Sequence, residues 1–231
     1  AKAAAKAEAR ARREAEGQAE TSAEAEALLG RAMGLDPAQA SLDARRKAAI
    51  LMVYSLDVEV ADEASVLGKG LTGVMPTPDT SYRFVARVDA PPGPRPIVIG
   101  TGPCGLFAGL ILAEMGFRPL ILDRGKVVRE RTKDTWGLWR KNVLNPESNV
   151  QFGEGGAGTF SDGKLYSQIK DPNHLGRKVL TEFVQAGAPA EILTEAHPHI
   201  GTFRLVTMVE SLRAKIEALG GEYRFQSRVD D

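Results

Sequence analysis

The sequence is poor in the features that mark several protein classes. Its 231 residues include one cysteine, Cys104, which excludes an intrachain disulfide framework and is typical of a reducing compartment. Thirty basic and thirty acidic side chains cancel, so net charge gives no attraction to nucleic acid or to a membrane surface. No run of about 18 apolar residues is present, as a transmembrane helix would require. We therefore expect a cytoplasmic protein with neither nucleic-acid nor membrane partners.

Composition divides the chain into four segments. Residues 1–40 are rich in Ala, Glu, Lys and Arg and are interpreted as a charged arm, helical or disordered. Residues 41–89 are predicted to form a small α+β module, with strands at 48–60 and 82–88 and a short helix at 62–67. The proline-rich stretch "APPGPRP", residues 90–96, is predicted to be a linker.

Residues 97–231 show the pattern of an α/β domain with a parallel sheet. "PIVIG" and "RPLILD" are short apolar strands of the kind buried on both faces, and an apolar helix lies between them. A later helix has an apolar stripe that ends before Gly220, and "EYRFQSRV" alternates as a third strand. The stripe consists of Leu205, Val209, Leu212, Ile216 and Leu219.

The first two strands flank a glycine motif, "GTGPCG", of the form G-x-G-x-x-G. Gly100 permits the tight turn, Gly102 lets backbone approach a pyrophosphate, and Gly105 allows close packing of helix on strand. Asp123 ends the second strand, where a carboxylate accepts hydrogen bonds from a ribose. The motif therefore predicts a dinucleotide site, with a glycine turn that binds nothing as the alternative.

Two residues of this unit are open to several interpretations. Asp123 disfavours a 2′-phosphorylated ribose, whereas Arg124 beside it would tolerate the phosphate, offset a pyrophosphate charge or lie in solvent. Cys104 lies at the predicted helix N-terminus, where thiol pKa values fall. Since no second cysteine is available for a disulfide, we interpret Cys104 as a small packing residue.

A second glycine-rich stretch, "GEGGAGTFSDGK" at residues 153–164, nearly matches the P-loop pattern G-x-x-x-x-G-K-[ST]. A P-loop needs Ser or Thr after the lysine to ligate magnesium and a buried strand before the loop. Leu165 follows Lys164, and the preceding residues contain no apolar strand. The stretch is therefore not predicted to bind a triphosphate.

The chain from Ser41 onward resembles a family of bacterial flavoproteins usually labelled uncharacterised FAD-dependent dehydrogenases, which are relatives of fumarate-reductase and aspartate-oxidase flavoenzymes. The segments that carry the resemblance are "SLDARRK", "VIGTGPCGLFAGLILAEMG", "PLILDRG", "NVQFGEGGAGTFSDGKLYSQI", "HPHIGT" and "SRVDD". It implies that residues 97–231 form a Rossmann-like FAD/NAD(P)-binding domain. The family runs to about twice this length, so the resemblance implies that this chain is truncated and its FAD domain incomplete at the C-terminus.

The resemblance also implies that the second glycine stretch lines FAD. Gly155, Gly156, Gly158 and Thr159 would admit the pyrophosphate and ribityl chain, Ser161 would donate a hydrogen bond, and Lys164 would offset phosphate charge or approach the flavin. A flexible surface loop is the alternative. The candidate cofactor-binding residues are Gly100, Gly102, Pro103, Cys104, Gly105, Asp123, Arg124, Gly155, Gly156, Ala157, Gly158, Thr159, Ser161, Lys164 and Val229, where Val229 would hold the adenine through its backbone.

Other candidate residues are interpreted as structural. His197 and His199 are placed in a turn before a helix capped by Thr202, with contact on the substrate side as an alternative. No metal site is predicted because no third ligand is nearby. Trp136 and Trp139 are interpreted as packing residues of a helix rather than a flavin-stacking pair.

The sequence thus predicts an FAD-dependent oxidoreductase, or its cofactor-binding portion, that transfers hydride or electrons between a small organic substrate and flavin. NAD(P)H is a candidate electron donor. The alternatives are an NAD(P)-dependent Rossmann dehydrogenase and a non-catalytic nucleotide-binding module. The prediction names no catalytic acid or base.

Overall fold

A computed structural model of the chain describes residues 39–43, 51–89, 93–167, 169–195 and 197–230, which form a mixed α/β fold. The chain divides into two compact units: Ala1–Asp79 with Leu193–Ala196, and Thr80–Ile192 with His197–Asp231. The predicted arm up to residue 38 and the start of the predicted linker, residues 90–92, lie outside the described residues.

The first unit contains an antiparallel strand pair and a short helix. Strand β1, Gln39–Asp43, pairs with β2, Leu51–Ser55, with Gln39 opposite Ser55. Helix α1, Glu63–Leu67, begins after Asp62, whose carboxylate accepts a hydrogen bond from the Ser65 N–H at 3.0 Å. The predicted short helix is confirmed. The predicted strand at 48–60 is confirmed over β2 and is wrong for residues 56–60, which lie outside any strand; its first residues, 48–50, lie outside the described residues.

The second unit is built on a three-stranded parallel sheet. Its strands are β3 (Ile97–Ile99), β4 (Leu120–Leu122) and β5 (Glu222–Arg224), in the order β3-β4-β5. Ile97 pairs with Leu120, which pairs with Glu222. Helix α2, Pro103–Glu114, connects β3 to β4.

A long excursion separates β4 from β5. Its elements, in order, are α3 (Val128–Lys141), a 3₁₀ helix (Ala157–Phe160), α4 (Leu175–Gln185), a second 3₁₀ helix (Ala190–Leu193) and α5 (Thr202–Ala218). The sequence-based order of strand, helix, strand, long insertion, helix and strand is confirmed, as is the α/β class. Among the described residues, no helix has the length and apolar character needed to cross a membrane.

The core of the second unit lies between the sheet and helices α2 and α5. A Cβ added to Gly109 of α2 would lie 2.5 Å from Ile121 Cδ1, so the helix packs directly on β4. The predicted α5 stripe is buried except for Leu219, the C-cap residue, which is exposed. The main buried side chains are Leu106, Leu110, Ile121, Ile192, Leu205, Met208, Leu212 and Ile216.

A cluster of four charged side chains ties α2, α4 and α5 together. Lys178 lies 2.7 Å from both Glu114 and Glu182, and Lys215 lies 2.9 Å from Glu114 and 2.5 Å from Glu182. Glu182 is almost completely buried. Burial alone would raise the pKa of Glu114, but the two lysines bring it below its ordinary value. The paired charges hold α2, whose N-terminus faces the candidate site, in a fixed position against α5.

Three further strand predictions are wrong, in whole or in part. Residues 82–88 form no strand, because Tyr82 and Phe84 pack on each other 5.0 Å apart and the Val88 N–H bonds to Met115 rather than to a sheet. Strand β3 is not buried on both faces: Ile97 and Ile99 are 62% and 67% exposed at the sheet edge.

The third wrong prediction concerns the length of β5. The expected strand continues to Val229, but β5 ends at Arg224 because Gln226 adopts a positive φ of 54° that turns the chain. The turn is fixed by two backbone hydrogen bonds, Gln226 N–H to Gly125 O at 2.9 Å and Ser227 N–H to Asp123 O at 2.8 Å. Residues 227–230 consequently pass over the C-terminal end of β4.

Candidate functional site

The first glycine motif forms the turn between β3 and α2. Gly100 has a φ of +92°, a conformation that glycine adopts without a steric penalty. A Cβ added to Gly105 would lie 1.9 Å from the Gly100 carbonyl oxygen, so only glycine allows this turn of α2 to pack on the loop. Two of the three motif glycines are therefore required by the backbone itself.

The loop leaves open space beside its backbone. Apart from its chain neighbours, no described heavy atom lies within 4 Å of a Cβ built on Gly100, and the nearest such atom to one built on Gly102 is Gly156 Cα at 4.0 Å. Gly102 is the N-cap of α2, and no side chain caps this end. The first N–H groups of a helix lack intrahelical partners and carry the positive end of its dipole. This cradle is suited to an anionic group.

The Asp123 carboxylate organises the same loop. Its Oδ2 accepts hydrogen bonds from the Thr101 N–H at 2.8 Å and the Thr101 hydroxyl at 2.5 Å, and its Oδ1 accepts one from the Gly125 N–H at 2.7 Å. An ionised carboxylate has about four acceptor positions. Three of them hold the protein's own loop in place, and one has no hydrogen-bond partner among the described residues.

The second glycine stretch is attached directly to the first. The Gly155 N–H donates to the Thr101 carbonyl at 2.8 Å. Gly156 has a φ of +61°, and an added Cβ would lie 3.0 Å from Gly102 Cα and 3.1 Å from Pro103 Cδ. The two motifs, distant in sequence, form one surface at the N-terminus of α2.

Arg131 of α3 holds the second stretch from behind. Its fully buried guanidinium donates to four backbone carbonyls, those of Asn149 (2.7 Å), Val150 (2.6 Å), Glu154 (2.5 Å) and Gly156 (2.8 Å). Burial lowers the pKa of Arg131 to about 10, so the side chain stays charged at neutral pH. The loop is therefore a folded structure built around the buried, charged guanidinium of Arg131.

Glu154 connects the loop to two helices. Its Oε2 accepts a hydrogen bond from the Val128 N–H at 2.7 Å, at the start of α3, and its Oε1 lies 3.4 Å from Arg213 Nε of α5. Its side chain is completely buried, and burial raises the pKa of the carboxyl above that of an ordinary glutamate. A carboxylate at a helix N-terminus is favoured by the helix dipole, which explains its position.

A pocket of about 410 Å³ lies at the C-terminal end of the sheet. Its lining residues are Ile99, Gly100, Thr101, Gly102, Leu122, Asp123, Arg124, Gln151, Phe152, Gly153, Ser227, Arg228, Val229 and Asp230. Of the predicted site residues, it brings together Gly100, Gly102, Asp123, Arg124 and Val229. The Val229 side chain is 46% exposed and does not pack as a core residue.

Charged side chains surround this pocket. Arg124 lies with its guanidinium carbon 4.0 Å from the centre of the Phe152 ring and its Nε 2.8 Å from a Glu147 oxygen. Arg228 lies 3.3 Å from Glu147 and 2.7 Å from Asp230. Hydrogen bonding from Arg124 lowers the pKa of Glu147. Both arginines of the pocket are therefore paired.

The remaining predicted residues lie outside the pocket lining. Pro103 and Cys104 are exposed at the start of α2, and Thr159 is buried. Ala157, Gly158 and Ser161 are exposed on the loop. Ser161 donates to the Gly158 carbonyl at 2.7 Å and accepts from the Gly163 N–H at 3.1 Å, so its hydroxyl supports the loop's own turn.

Lys164 projects into solvent and pairs with Asp162 at 3.1 Å. It lies opposite His199 in an isolated antiparallel bridge, which is supported by the Leu165 N–H to Pro198 O bond at 2.9 Å. His197 packs on Tyr166 with ring centres 4.8 Å apart. Across the described part of the chain, no group of His, Cys, Asp and Glu is arranged to hold a metal ion.

Two smaller predictions concern helix ends and aromatic rings. The N-cap of α5 is Gly201 rather than Thr202, so that cap prediction is wrong by one residue: Gly201 has a φ of +90°, which glycine adopts readily. Trp136 and Trp139 of α3 pack edge to face, 5.6 Å apart, and Trp139 meets Phe160 at 5.8 Å. Neither tryptophan lines the pocket.

Sequence reasoning missed Arg131, Glu154 and Glu147. Each stands in a polar stretch, where a charged residue is normally solvated. The sequence gives a weak signal for Arg131, since it shares one face of the predicted helix with Val128 and Thr135 at helical spacing. In the structure all three side chains are buried. Glu147 had no signal, because its role depends on two arginines brought close by the fold.

No protein-family model matches the chain. The chain is similar to an uncharacterized protein of Clostridium beijerinckii, with 41% identity over 202 residues. The match covers 85% of this chain and 37% of that protein, so the chain spans little more than a third of the relative's length.

Proposed function

We propose that the chain is the cofactor-binding portion of an FAD-dependent oxidoreductase, with a Rossmann-like arrangement of its sheet. The observation that carries this proposal is the junction of the two glycine motifs, where Gly155 bonds to Thr101 and Gly156 packs on Gly102 and Pro103. A nicotinamide-binding turn requires the first motif alone. A second glycine surface beside it suits a ligand that extends beyond the first pyrophosphate contact.

The described residues fit the adenosine and pyrophosphate parts of FAD. The open backbone beside Gly100 and Gly102 would admit the pyrophosphate at the α2 N-terminus, where free N–H groups and the helix dipole favour negative charge. The one acceptor position left on Asp123 would take a ribose hydroxyl. The backbone of Val229, in the same pocket, would contact the adenine.

The second stretch would carry the ribityl side of the ligand. Gly155 and Gly156 bring backbone to the α2 N-terminus, and Arg131 fixes that backbone through its four carbonyl contacts. Bound flavin would supply hydride or electron-pair transfer, while the chain would bind and orient it. The substrate of the whole protein is proposed only as a small organic molecule, with NAD(P)H as a candidate donor.

Cofactor identification tests the proposal. The purified protein is scanned across the visible flavin bands, heated, and its released ligand separated by chromatography; protein without ligand is then titrated with FAD, FMN and NAD. We expect flavin absorption, FAD in the released fraction, and weaker binding of FMN, which lacks the adenosine. A colourless protein that binds NAD and not FAD would overturn the proposal in favour of a nicotinamide dehydrogenase.

A second measurement separates an enzyme portion from a structural nucleotide module. The FAD-loaded protein is mixed anaerobically with NADH, NADPH or dithionite, and bleaching of the flavin band is followed. Reduction by a nicotinamide donor supports an oxidoreductase. Bound FAD that dithionite reduces and neither nicotinamide reduces favours a non-catalytic role for this portion of the protein.

A further inference from the structure

The pocket contains two arginines beside the carboxylate proposed to bind ribose. Arg124 follows Asp123 directly, and Arg228 lies on the segment after β5; both line the pocket. In dinucleotide sites an arginine near this position accommodates a 2′-phosphate on the adenosine ribose. Taken alone, these two side chains would make the pocket a site for a 2′-phosphorylated nucleotide.

Glu147 forms ion pairs with both arginines and so offsets part of their positive charge. One carboxylate oxygen lies 2.8 Å from Arg124 Nε and the other 3.3 Å from Arg228 Nη1. A turn places the glutamate, since the Asn145 side-chain oxygen accepts from the N–H groups of Glu147 (3.1 Å) and Ser148 (3.2 Å). The carboxylate is therefore held by backbone geometry at the point where it reaches both cations.

The charges around the pocket sum to a negative value. Asp123, Glu147 and Asp230 carry three negative charges against the two guanidinium groups of Arg124 and Arg228. Arg228 has a second carboxylate partner in Asp230, whereas Glu147 is the ion-pair partner found for Arg124 among the described residues. A 2′-phosphate, with a charge of about −1.5 to −2, would meet this negative surface and compete with Glu147 for Arg124.

We propose that Glu147 determines the specificity of this pocket. Because of Glu147, the pocket accepts an adenosine ribose with a free 2′-hydroxyl and rejects a 2′-phosphorylated one. The inference rests on the proposed dinucleotide site. Glu147 acts through Arg124: it pairs with the guanidinium, which lies over the Phe152 ring, so that this cation is not available to a second phosphate.

Two ligands that differ by one phosphate group test this role. Apoprotein is titrated at fixed ionic strength with adenosine 5′-monophosphate and with adenosine 2′,5′-bisphosphate, because salt screens such contacts. The wild type should bind the monophosphate more tightly. Glu147→Gln should shift the affinity ratio toward the bisphosphate by about twofold to fivefold, the range expected for one freed, partly exposed cation.

Two variants control for charge and for mechanism. Glu222→Gln removes the same charge from a glutamate that also pairs two arginines, Arg95 and Arg224, at the opposite end of the sheet, and should leave the ratio unchanged. Adding Arg124→Leu to Glu147→Gln should restore the wild-type ratio, because the freed cation is then gone. Far-UV circular dichroism verifies that each variant is folded.

The outcomes separate this inference from the function it rests on. Monophosphate binding with the same ratio in wild type and Glu147→Gln overturns the role of Glu147 and leaves the nucleotide site standing. A shift in Glu147→Gln that persists after Arg124→Leu also overturns it, since Arg124 would then not be the group that Glu147 controls. If FAD binds and neither adenine nucleotide does, the inference is overturned and the proposed function stands; if FAD also fails to bind, both are overturned.

Discussion

The N–H of Gly155 donates to the carbonyl oxygen of Thr101 at 2.8 Å, and this bond joins two loops that lie far apart in the sequence. Thr101 is itself held by Asp123, through its N–H at 2.8 Å and its hydroxyl at 2.5 Å. The position of the second glycine stretch therefore depends on the carboxylate that ends β4. A change at any of the three residues is expected to disturb the other two.

Gly156→Val should abolish flavin retention. Valine at a φ of +61° costs on the order of 1–3 kcal/mol in backbone strain, and its Cβ would lie 3.0 Å from Gly102 Cα. The loop must then move away from the α2 N-terminus, which corresponds to a roughly tenfold to hundredfold weaker affinity. Retention is measured by the flavin-to-protein absorbance ratio after gel filtration.

Gly158→Ala is the matched control for this change. Gly158 is exposed, has no positive φ, and its nearest neighbour to an added Cβ is Pro103 Cγ at 4.0 Å. Retention in this variant should equal that of the wild type. Equal retention in Gly156→Val would show that the second glycine stretch does not approach the ligand.

Arg131→Leu should destabilise the second unit by about 3–5 kcal/mol, since it leaves buried carbonyl groups without a donor. The four carbonyls belong to Asn149, Val150, Glu154 and Gly156. Urea unfolding followed by circular dichroism measures the free energy of unfolding. Arg129→Leu, on the same helix, removes an exposed pair with Glu210 and should have a much smaller effect. Similar losses in the two variants would contradict a central role for Arg131.

Much of the second unit follows from sequence because its signals are local. The apolar strands β3 and β4, the glycine turn between them, and the stripe of α5 are each determined by neighbouring residues. The wrong predictions share a different origin. The alternation at Tyr82 to Val88 matched a strand but found no sheet partner, and β5 ends early because Gln226 takes a positive φ that its sequence does not signal.

The candidate site divides in the same way. The glycines of the first motif were identified from their spacing and those of the second from the family resemblance, and Gly105, Gly155 and Gly156 make close approaches that require glycine. Arg131 and Glu147 were missed because their partners are backbone carbonyls and side chains brought together only by folding. Lys164, predicted near the cofactor, lies in solvent and pairs with Asp162. The spacing of the motif does not determine the direction of this side chain.

Glu154 should make stability fall as pH rises above the ordinary pKa of a glutamate. Burial raises its pKa in the folded state, so between the unfolded and folded pKa values the folded protein binds more protons than the unfolded chain. The difference in unfolding free energy between wild type and Glu154→Gln should therefore decrease with increasing pH across that window. Urea titrations at several pH values measure it.

Glu114 provides a control of opposite sign. Lys178 and Lys215 outweigh burial and lower its pKa, so its stabilising contribution is present above the ordinary glutamate pKa and is lost as pH falls through the folded value. The difference between wild type and Glu114→Gln should increase with pH. Parallel trends in the two variants would show that one of the two carboxyl environments is misassigned.

Cys104 offers a direct probe of the α2 N-terminus. It is exposed, and it is the single cysteine of the chain, so a maleimide reports on this position alone. A pyrophosphate bound beside Gly102 would cover the start of the helix and should slow labelling severalfold at saturating FAD. Mass spectrometry of timed samples gives the rate, and Cys104→Ser should show no labelling. An unchanged rate with FAD demonstrably bound would place the ligand away from this helix end and remove the first glycine motif from the site.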